Sequence, residues 1–181
     1  MLKHHFTEKG KAISVKELAV LAATGSRLII GGYMARNVLH HKPVLGSMAI
    51  FLLADHFDGV LARKMGVDTP KRRVIDAMVD RAAIAMNFAA LAVVNEEARP
   101  FIGLLAAREA VVGMANWHVL KETGAVVQGA GAQKLGSLSV ALFGVAGAQY
   151  PEFTDAAGIA TVAINTVLAT EYVENALHTK P

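Results

Sequence analysis

The segment LGSMAIFLLADHFDGVLAR, residues 45–63, runs from apolar residues directly into two aspartates, Asp55 and Asp58. A second pair, Asp76 and Asp80, precedes another apolar stretch. Helical residues three or four apart share one face, so each pair is presented on one side of its helix. Ionised groups are expensive in hydrocarbon, and four carboxylates beside such segments need a cation, a partner or a wet cavity. The pattern predicts a metal-centred site in a membrane protein.

The composition of the whole chain also favours a membrane protein. Of its 181 residues, 54% are hydrophobic and 18% are charged, and the mean hydropathy is +0.40. Soluble domains carry roughly 45–50% apolar and about 25% charged residues, although an alanine-rich soluble helical protein stays an alternative on composition alone. The chain has no cysteine, which excludes disulfides and thiolate metal sites. Its lysines and arginines lie beside apolar segments, so we expect anionic lipid headgroups as partners and no nucleic acid.

Turn and breaker residues separate the apolar stretches into candidate membrane-spanning helices. Their approximate bounds are 18–38, 43–62, 74–94, 100–120, 133–150 and 156–176. We therefore predict an all-α fold, an integral membrane bundle of six transmembrane helices. Because no linker or repeat divides the chain, residues 1–181 are expected to form a single domain, with residues 1–17 as a cytoplasmic N-terminal segment.

Basic residues are distributed unequally between the two sides of this predicted bundle. The N-terminal segment and the loop between the second and third spans are rich in lysine and arginine, whereas the last loop on the other side is acidic. The positive-inside rule then places both chain ends in the cytoplasm. Both aspartate pairs would face each other across one cavity at the cytoplasmic side of the cell membrane.

The ligand types in the aspartate cluster limit the metal that it could bind. Oxygen ligands alone favour Mg²⁺, Mn²⁺ or Ca²⁺ over zinc, and four aspartates on two facing helices could hold two ions. Metal pairs of that kind stabilise phosphoryl transfer by neutralising the phosphate and the leaving group. The small residues Gly59 and Ala62 would let a substrate approach the helix backbone, and Arg63 supplies a cation for a phosphate.

The residues from Asp55 to Asp80 form a longer pattern that resembles the signature of the CDP-alcohol phosphotransferase family, D-x2-D-G-x2-A-R-x8-G-x3-D-x3-D. Seven of its eight fixed positions match, and Arg72 stands where the family has its second glycine. Weaker resemblances lie elsewhere in the chain. The segment at 24–27, Thr-Gly-Ser-Arg, resembles a T-x-x-R motif of the first helix. Arg108 with Glu109, and the segment at 134–137, resemble regions of phosphatidylglycerophosphate synthases.

The family resemblance implies a six-helix membrane enzyme, usually a homodimer, that depends on Mg²⁺ or Mn²⁺. Such an enzyme transfers a phosphatidyl group from CDP-diacylglycerol to an alcohol and releases CMP. By that resemblance the metal ligands are Asp55, Asp58, Asp76 and Asp80. Asp80 would also be the general base. The implied contacts to the CDP moiety are Gly59, Ala62 and Arg63. Arg72 at the glycine position leaves three alternatives: it pairs with a phosphate, the donor binds in a changed pose, or the activity is weak or the donor unusual.

The identity of the acceptor alcohol depends on the weaker resemblances. Arg108 and Lys134 are the candidate ligands of an acceptor phosphate, although pairing of Arg108 with a membrane carboxylate is an equal alternative. We favour sn-glycerol 3-phosphate, which would give phosphatidylglycerophosphate. Inositol phosphate is the main alternative acceptor, and unphosphorylated alcohols are the other candidates. Glu109 is expected to pair across helices, and Asp68 to be solvated.

A divalent-cation transporter is the alternative from a different functional class. Four membrane carboxylates could form a transport site. That hypothesis explains the acids but not Gly59, Ala62 and Arg63 at their spacing.

Overall fold

The computed structural model describes residues 14–123 and 133–178, and every regular element in these ranges is helical. This confirms the all-α prediction, and each long helix overlaps one predicted span. In chain order the helices are α1 (Val15–Leu39), α2 (Leu45–Met65), α3 (Pro70–Val94), α4 (Arg99–Thr123), α5 (Gln133–Gln149) and α6 (Thr154–His178), with a 3-10 turn at Pro151–Phe153 before α6.

Helices α1, α2, α3 and α6 are long and apolar enough to cross a membrane. Helix α5 is apolar but shorter, with its apolar part at Leu135–Gln149. Helix α4 carries charged residues along its length, among them Arg108 and Glu109. The structure therefore indicates a membrane protein with four candidate spans. The prediction of six spans requires that α4 and α5 also cross the membrane.

The distribution of polar and apolar side chains supports a membrane setting. Ile29, Val93 and Val167 point outward with 77%, 68% and 67% of their surface exposed. In contrast, Arg27 is 0% and Asp58 3% exposed. Charged side chains are almost never fully buried in soluble proteins unless they are paired. An apolar outside around an ionic inside is the arrangement that a hydrocarbon environment favours.

A tight connection joins α2 to α3. Gly66 ends α2 in the left-handed conformation, with φ of 71°, which glycine adopts without strain. Helix α3 then starts at Pro70, which suits the first helical position. The Thr69 side chain caps α3 by accepting a hydrogen bond from the Arg72 backbone N–H at 3.2 Å. The end of α2 and the start of α3 are thus held close together.

Helix α1 packs against both α2 and α3. At its crossing with α3 a Cβ atom on Gly31 would lie only 2.7 Å from Ala83 Cβ, so glycine permits the close approach. The Asn87 side chain adds a hydrogen bond to the Gly31 carbonyl at 3.1 Å. This packing fixes the position of Arg27, which lies one turn earlier on α1.

An aromatic core holds the other end of the bundle. Phe143 is fully buried and makes edge-to-face contacts with Phe88 and Phe101, with ring centroids 5.8 and 5.9 Å away. A Cβ on Gly158 would meet the Phe101 ring at 2.5 Å, which shows how closely α4 and α6 pack. Because α3 rises about 1.5 Å per residue, this core lies well away from the aspartates at the start of that helix.

Candidate active site

Three helices bring the four motif aspartates together around one arginine. Asp55 and Asp58 lie on the second half of α2, and Asp76 and Asp80 lie near the start of α3. Arg27 enters between them from α1. The predicted convergence of the two aspartate pairs is therefore present in the structure.

The Arg27 side chain is completely buried, and its guanidinium contacts all four carboxylates. Its Nη1 lies 2.6 Å from Asp55 Oδ1 and 2.5 Å from Asp80 Oδ1. Its Nη2 lies 3.0 Å from Asp58 Oδ2 and also pairs with Asp76 Oδ1. A buried charge is tolerated only with such partners, so Arg27 and the four acids form one ionic unit.

Sequence reasoning missed the central position of Arg27, which it placed only in a weak motif of the first helix. A signal was present in the spacing, since Thr24 and Arg27 are three residues apart and share a helix face. Both reach Asp58, and Thr24 Oγ1 donates a hydrogen bond to Asp58 Oδ2 at 2.9 Å. Thr24 is 1% exposed, so this face of α1 serves the aspartate site.

Arg72, the residue that departs from the family pattern, also turns toward the aspartates. It is 8% exposed, and its Nη2 lies 3.1 Å from Asp58 Oδ1. Its Nη1 lies 3.4 Å from Asp68 Oδ1. The guanidinium therefore bridges a motif aspartate and the α2–α3 connection. Contact of Arg72 with a donor phosphate stays a prediction.

Three of the aspartates are arranged so that they could hold a metal ion. Asp55, Asp76 and Asp80 each present one carboxylate oxygen, and these oxygens lie within 4.8 Å of one another. Their side chains are 48%, 24% and 32% exposed, so the group is open on one side. Hard oxygen donors at this spacing fit Mg²⁺ or Mn²⁺ after small adjustments of the side chains. An incoming ion would compete with Arg27 for the same oxygens.

The predicted nucleotide contacts differ in their accessibility. Gly59 is partly exposed, and a Cβ atom there would lie 3.5 Å from Arg63 Nη1. Arg63 itself is exposed and makes no salt bridge with any residue that the structure describes. Ala62 is 0% exposed, because its face of α2 is covered by protein. Gly59 and Arg63 are thus available to a ligand, whereas Ala62 is a small packing residue in this arrangement.

A second polar cluster contains the candidate acceptor residues of α4. Arg108 pairs with Glu109, and Arg81 Nε from α3 lies 3.2 Å from Glu109 Oε2. The expected pairing of Glu109 across helices is therefore present. Close by in sequence, the Asn116 side chain accepts a hydrogen bond from the Tyr172 hydroxyl of α6. The side chain of Lys134, the other candidate, lies outside the described residues.

Asp68, predicted to be solvated, is instead an ion-pair partner. Its side chain is 18% exposed, and Arg73 donates to it through Nε at 3.1 Å and Nη2 at 2.8 Å. The hydrogen bonds from Arg73 hold the pKa of the Asp68 carboxyl below its usual value, although partial burial acts in the opposite direction. Arg72 and Arg73 both pair with Asp68. Their spacing in the sequence allows these pairs but did not predict them.

Comparison with known families agrees with this arrangement of residues. A sequence model described as CDP-alcohol phosphatidyltransferase matches residues 18–171, which includes all four aspartates, Arg27 and the α4 cluster. No curated protein and no solved structure matches the chain. Members of the family transfer a phosphatidyl group from a CDP-alcohol to an alcohol and generally use divalent metals. Because the match covers most of its length, the chain belongs to the CDP-alcohol phosphatidyltransferase family.

Proposed function

We propose that this protein transfers the phosphatidyl group of CDP-diacylglycerol to sn-glycerol 3-phosphate, giving phosphatidylglycerophosphate and CMP. The observation that carries the proposal is the convergence of Asp55, Asp76 and Asp80, whose oxygens lie within 4.8 Å of one another on one partly open face. Gly59 and Arg63 follow Asp55 at intervals of four residues on α2 and are at least partly exposed, so a nucleotide diphosphate could contact them beside the aspartates.

The three aspartates would hold Mg²⁺ or Mn²⁺. When bound, such an ion supplies positive charge to the reacting phosphate and to the departing CMP. Arg27, whose guanidinium contacts all four carboxylates, would share Asp55, Asp76 and Asp80 with the ion and keep the acids together. Arg63 would pair with a donor phosphate, and Gly59 would let the donor lie against α2.

Asp80 is the proposed general base. Its side chain is 32% exposed and lies on the side of α3 that faces the cluster. In the reaction the acceptor hydroxyl gives its proton to Asp80, and the acceptor oxygen attacks the phosphorus that carries the diacylglycerol. The bond from that phosphorus to the CMP oxygen breaks, and CMP leaves. A positioned base of this kind contributes about 10²–10⁴-fold to the rate.

The acceptor phosphate is proposed to bind near Arg108 and Lys134. Arg108 is 18% exposed, and its pairing with Glu109 orients it from α4. Arg81, which follows Asp80 directly, adds positive charge to the same region. A phosphorylated acceptor would therefore have its phosphate among cations while its hydroxyl reaches Asp80.

The proposed setting is the cell membrane, with the aspartate site facing the cytoplasm. We propose a single domain over residues 1–181, with the segment 1–17 in the cytoplasm, six spans and a homodimer. The four apolar helices support the membrane setting, and the basic residues in the α2–α3 connection support the cytoplasmic side.

An acceptor panel tests the substrate assignment. Purified protein in lipid vesicles would receive CDP-diacylglycerol, Mn²⁺ and one acceptor at a time. CMP release is expected with sn-glycerol 3-phosphate and less with inositol phosphate or unphosphorylated alcohols. A preference for inositol phosphate would move the assignment to that acceptor. Uptake of Mn²⁺ into the vesicles without CMP release from any mixture would instead favour a transporter.

A further inference from the structure

Asp58 differs from the other three motif aspartates in being closed off from any ligand. Its side chain is 2% exposed, and both of its oxygens already have cationic or hydrogen-bonding partners. Oδ1 lies 3.1 Å from Arg72 Nη2. Oδ2 lies 3.0 Å from Arg27 Nη2 and accepts the hydrogen bond of Thr24 at 2.9 Å. A metal ion at Asp58 would have to replace these contacts.

Arg72 is held firmly at the position from which it covers Asp58. Its backbone N–H donates to the Thr69 cap at 3.2 Å, and its Nη1 is 3.4 Å from Asp68. Its Nη atoms pair with Asp58 and Asp68, which are its anionic partners among the described residues. Its Nε is buried and has no hydrogen-bond partner among those residues. Arginine keeps its charge at any accessible pH, so Arg72 presents a positive charge to Asp58.

The formal charge of the cluster agrees with a single ion. Four ionised aspartates with the two guanidiniums of Arg27 and Arg72 leave a charge of −2. One divalent ion neutralises this charge before the donor arrives. A second ion would leave a formal excess of two positive charges beside the completely buried Arg27, which is unfavourable.

We propose that Arg72 takes the place of a second metal ion at Asp58, so that the site without donor binds one divalent ion on Asp55, Asp76 and Asp80. This inference rests on the proposed function and deepens it. Arg72 is then a positioning residue: it fixes Asp58 as the anchor of Arg27 and Thr24, and it sets the metal stoichiometry. A glycine at this position would leave Asp58 Oδ1 without its guanidinium partner.

Counting bound Mn²⁺ in the absence of donor tests this inference. Wild-type protein is expected to bind one Mn²⁺ per chain, with the electron paramagnetic resonance spectrum of an isolated ion. Arg72→Gly is expected to bind two, with the spectrum of a coupled pair. Arg72→Met gives the same readout if glycine in the first turn of α3 prevents folding. Arg73→Met is the matched control, since Arg73 is 52% exposed and pairs only with Asp68 among the described residues, and it should still bind one ion.

Two coupled ions in the wild-type protein would overturn the inference, as would a single ion in both Arg72 variants. Asp58→Asn gives a second check, because it should lower Mn²⁺ affinity much less than Asp76→Asn, which removes a proposed direct ligand of the ion. Equal losses in these two variants would also count against the inference. CMP release is measured separately: one ion without CMP release contradicts the proposed function alone, and two ions with CMP release contradict the inference alone.

Discussion

At the scale of single residues, Arg27 is the centre of the site. Burying the Arg27 guanidinium and the Asp58 carboxylate is expensive, and the arrangement is stable only because each of these charges has opposite partners. Arg27 touches every one of the aspartates, whereas Thr24 and Arg72 each reach only Asp58 within the motif. Removing Arg27 would therefore leave the acids facing one another.

Arg27→Met should destabilise the fold. Breaking a buried ion pair by removing one partner costs about 3–5 kcal/mol, because the remaining charge is left buried and unpaired. We expect a large drop in the thermal midpoint in detergent, partly restored by Mn²⁺, which supplies positive charge to the same carboxylates. Arg36→Met on the exposed side of α1 is the control and should change little. Equal midpoints for the two variants without metal would contradict this role of Arg27.

At the scale of helices, two features position the site: the close crossing of α1 with α3, and the tight connection from α2 to α3. The crossing depends on Gly31, because any side chain there meets Ala83. The connection depends on Gly66 and on the Thr69 cap. A change in either feature should move Arg27 or the α3 aspartates relative to α2.

Gly31→Ala tests the helix crossing. The added methyl would lie 2.7 Å from Ala83 Cβ, so α1 and α3 must separate, and overpacking of this kind costs about 1–3 kcal/mol. Gly32→Ala is the matched control, since a Cβ there meets nothing within 4 Å. We expect a lower thermal midpoint and lower CMP release for Gly31→Ala alone. Similar behaviour of the two variants would argue against a close crossing.

The Asp68 pair in the α2–α3 connection predicts a pH dependence. Its hydrogen bonds from Arg73 lower the pKa of Asp68 in the folded state below the unfolded value. The pair therefore stabilises the fold above the unfolded pKa, and this contribution is lost as pH falls through the folded pKa. The midpoint of the wild type should exceed that of Asp68→Asn near neutral pH, and the difference should shrink below about pH 4. A difference that grows on acidification would have the wrong sign.

The sequence predicted the helices and the convergence of the aspartates well, because apolar length and carboxylate spacing are local properties. The second span was predicted to end at residue 62, but α2 continues to Met65, where Gly66 provides the stop. Position alone could not show that Arg72 turns inward to Asp58 or that Arg27 lies among all four acids. Both depend on how α1 packs against α2 and α3, which is a property of the folded chain.

At the scale of the whole molecule, an apolar exterior surrounds an ionic site near one end of the bundle. The proposal that this end faces the cytoplasm follows from the positive-inside rule, since the α2–α3 connection is basic. The apolar character of α1, α2, α3 and α6 agrees with insertion into a bilayer. Substrates with lipid tails could then reach the site from the membrane while polar acceptors reach it from water.

Cysteine labelling tests this orientation, and the native chain gives no background because it has no cysteine. Lys64→Cys at the end of α2 should react with an impermeant maleimide only from the cytoplasmic side. Lys42→Cys lies in the α1–α2 connection, and Glu97→Cys lies in the α3–α4 connection. Both should react only from the opposite side. All three positions are exposed in the structure. Labelling of residues 42 and 64 from one side would contradict the topology.

The rate of CMP release from CDP-diacylglycerol by wild type and Asp80→Asn tests both the proposed reaction and the role of Asp80 as its base. Vesicles would contain sn-glycerol 3-phosphate and Mn²⁺, and Asp155→Asn, an exposed acid of α6, would serve as the control. We expect CMP release by wild type and control, and a loss of about 10²-fold or more per folded protein in Asp80→Asn. Full CMP release by Asp80→Asn, or none by the wild type with any acceptor, would contradict this expectation.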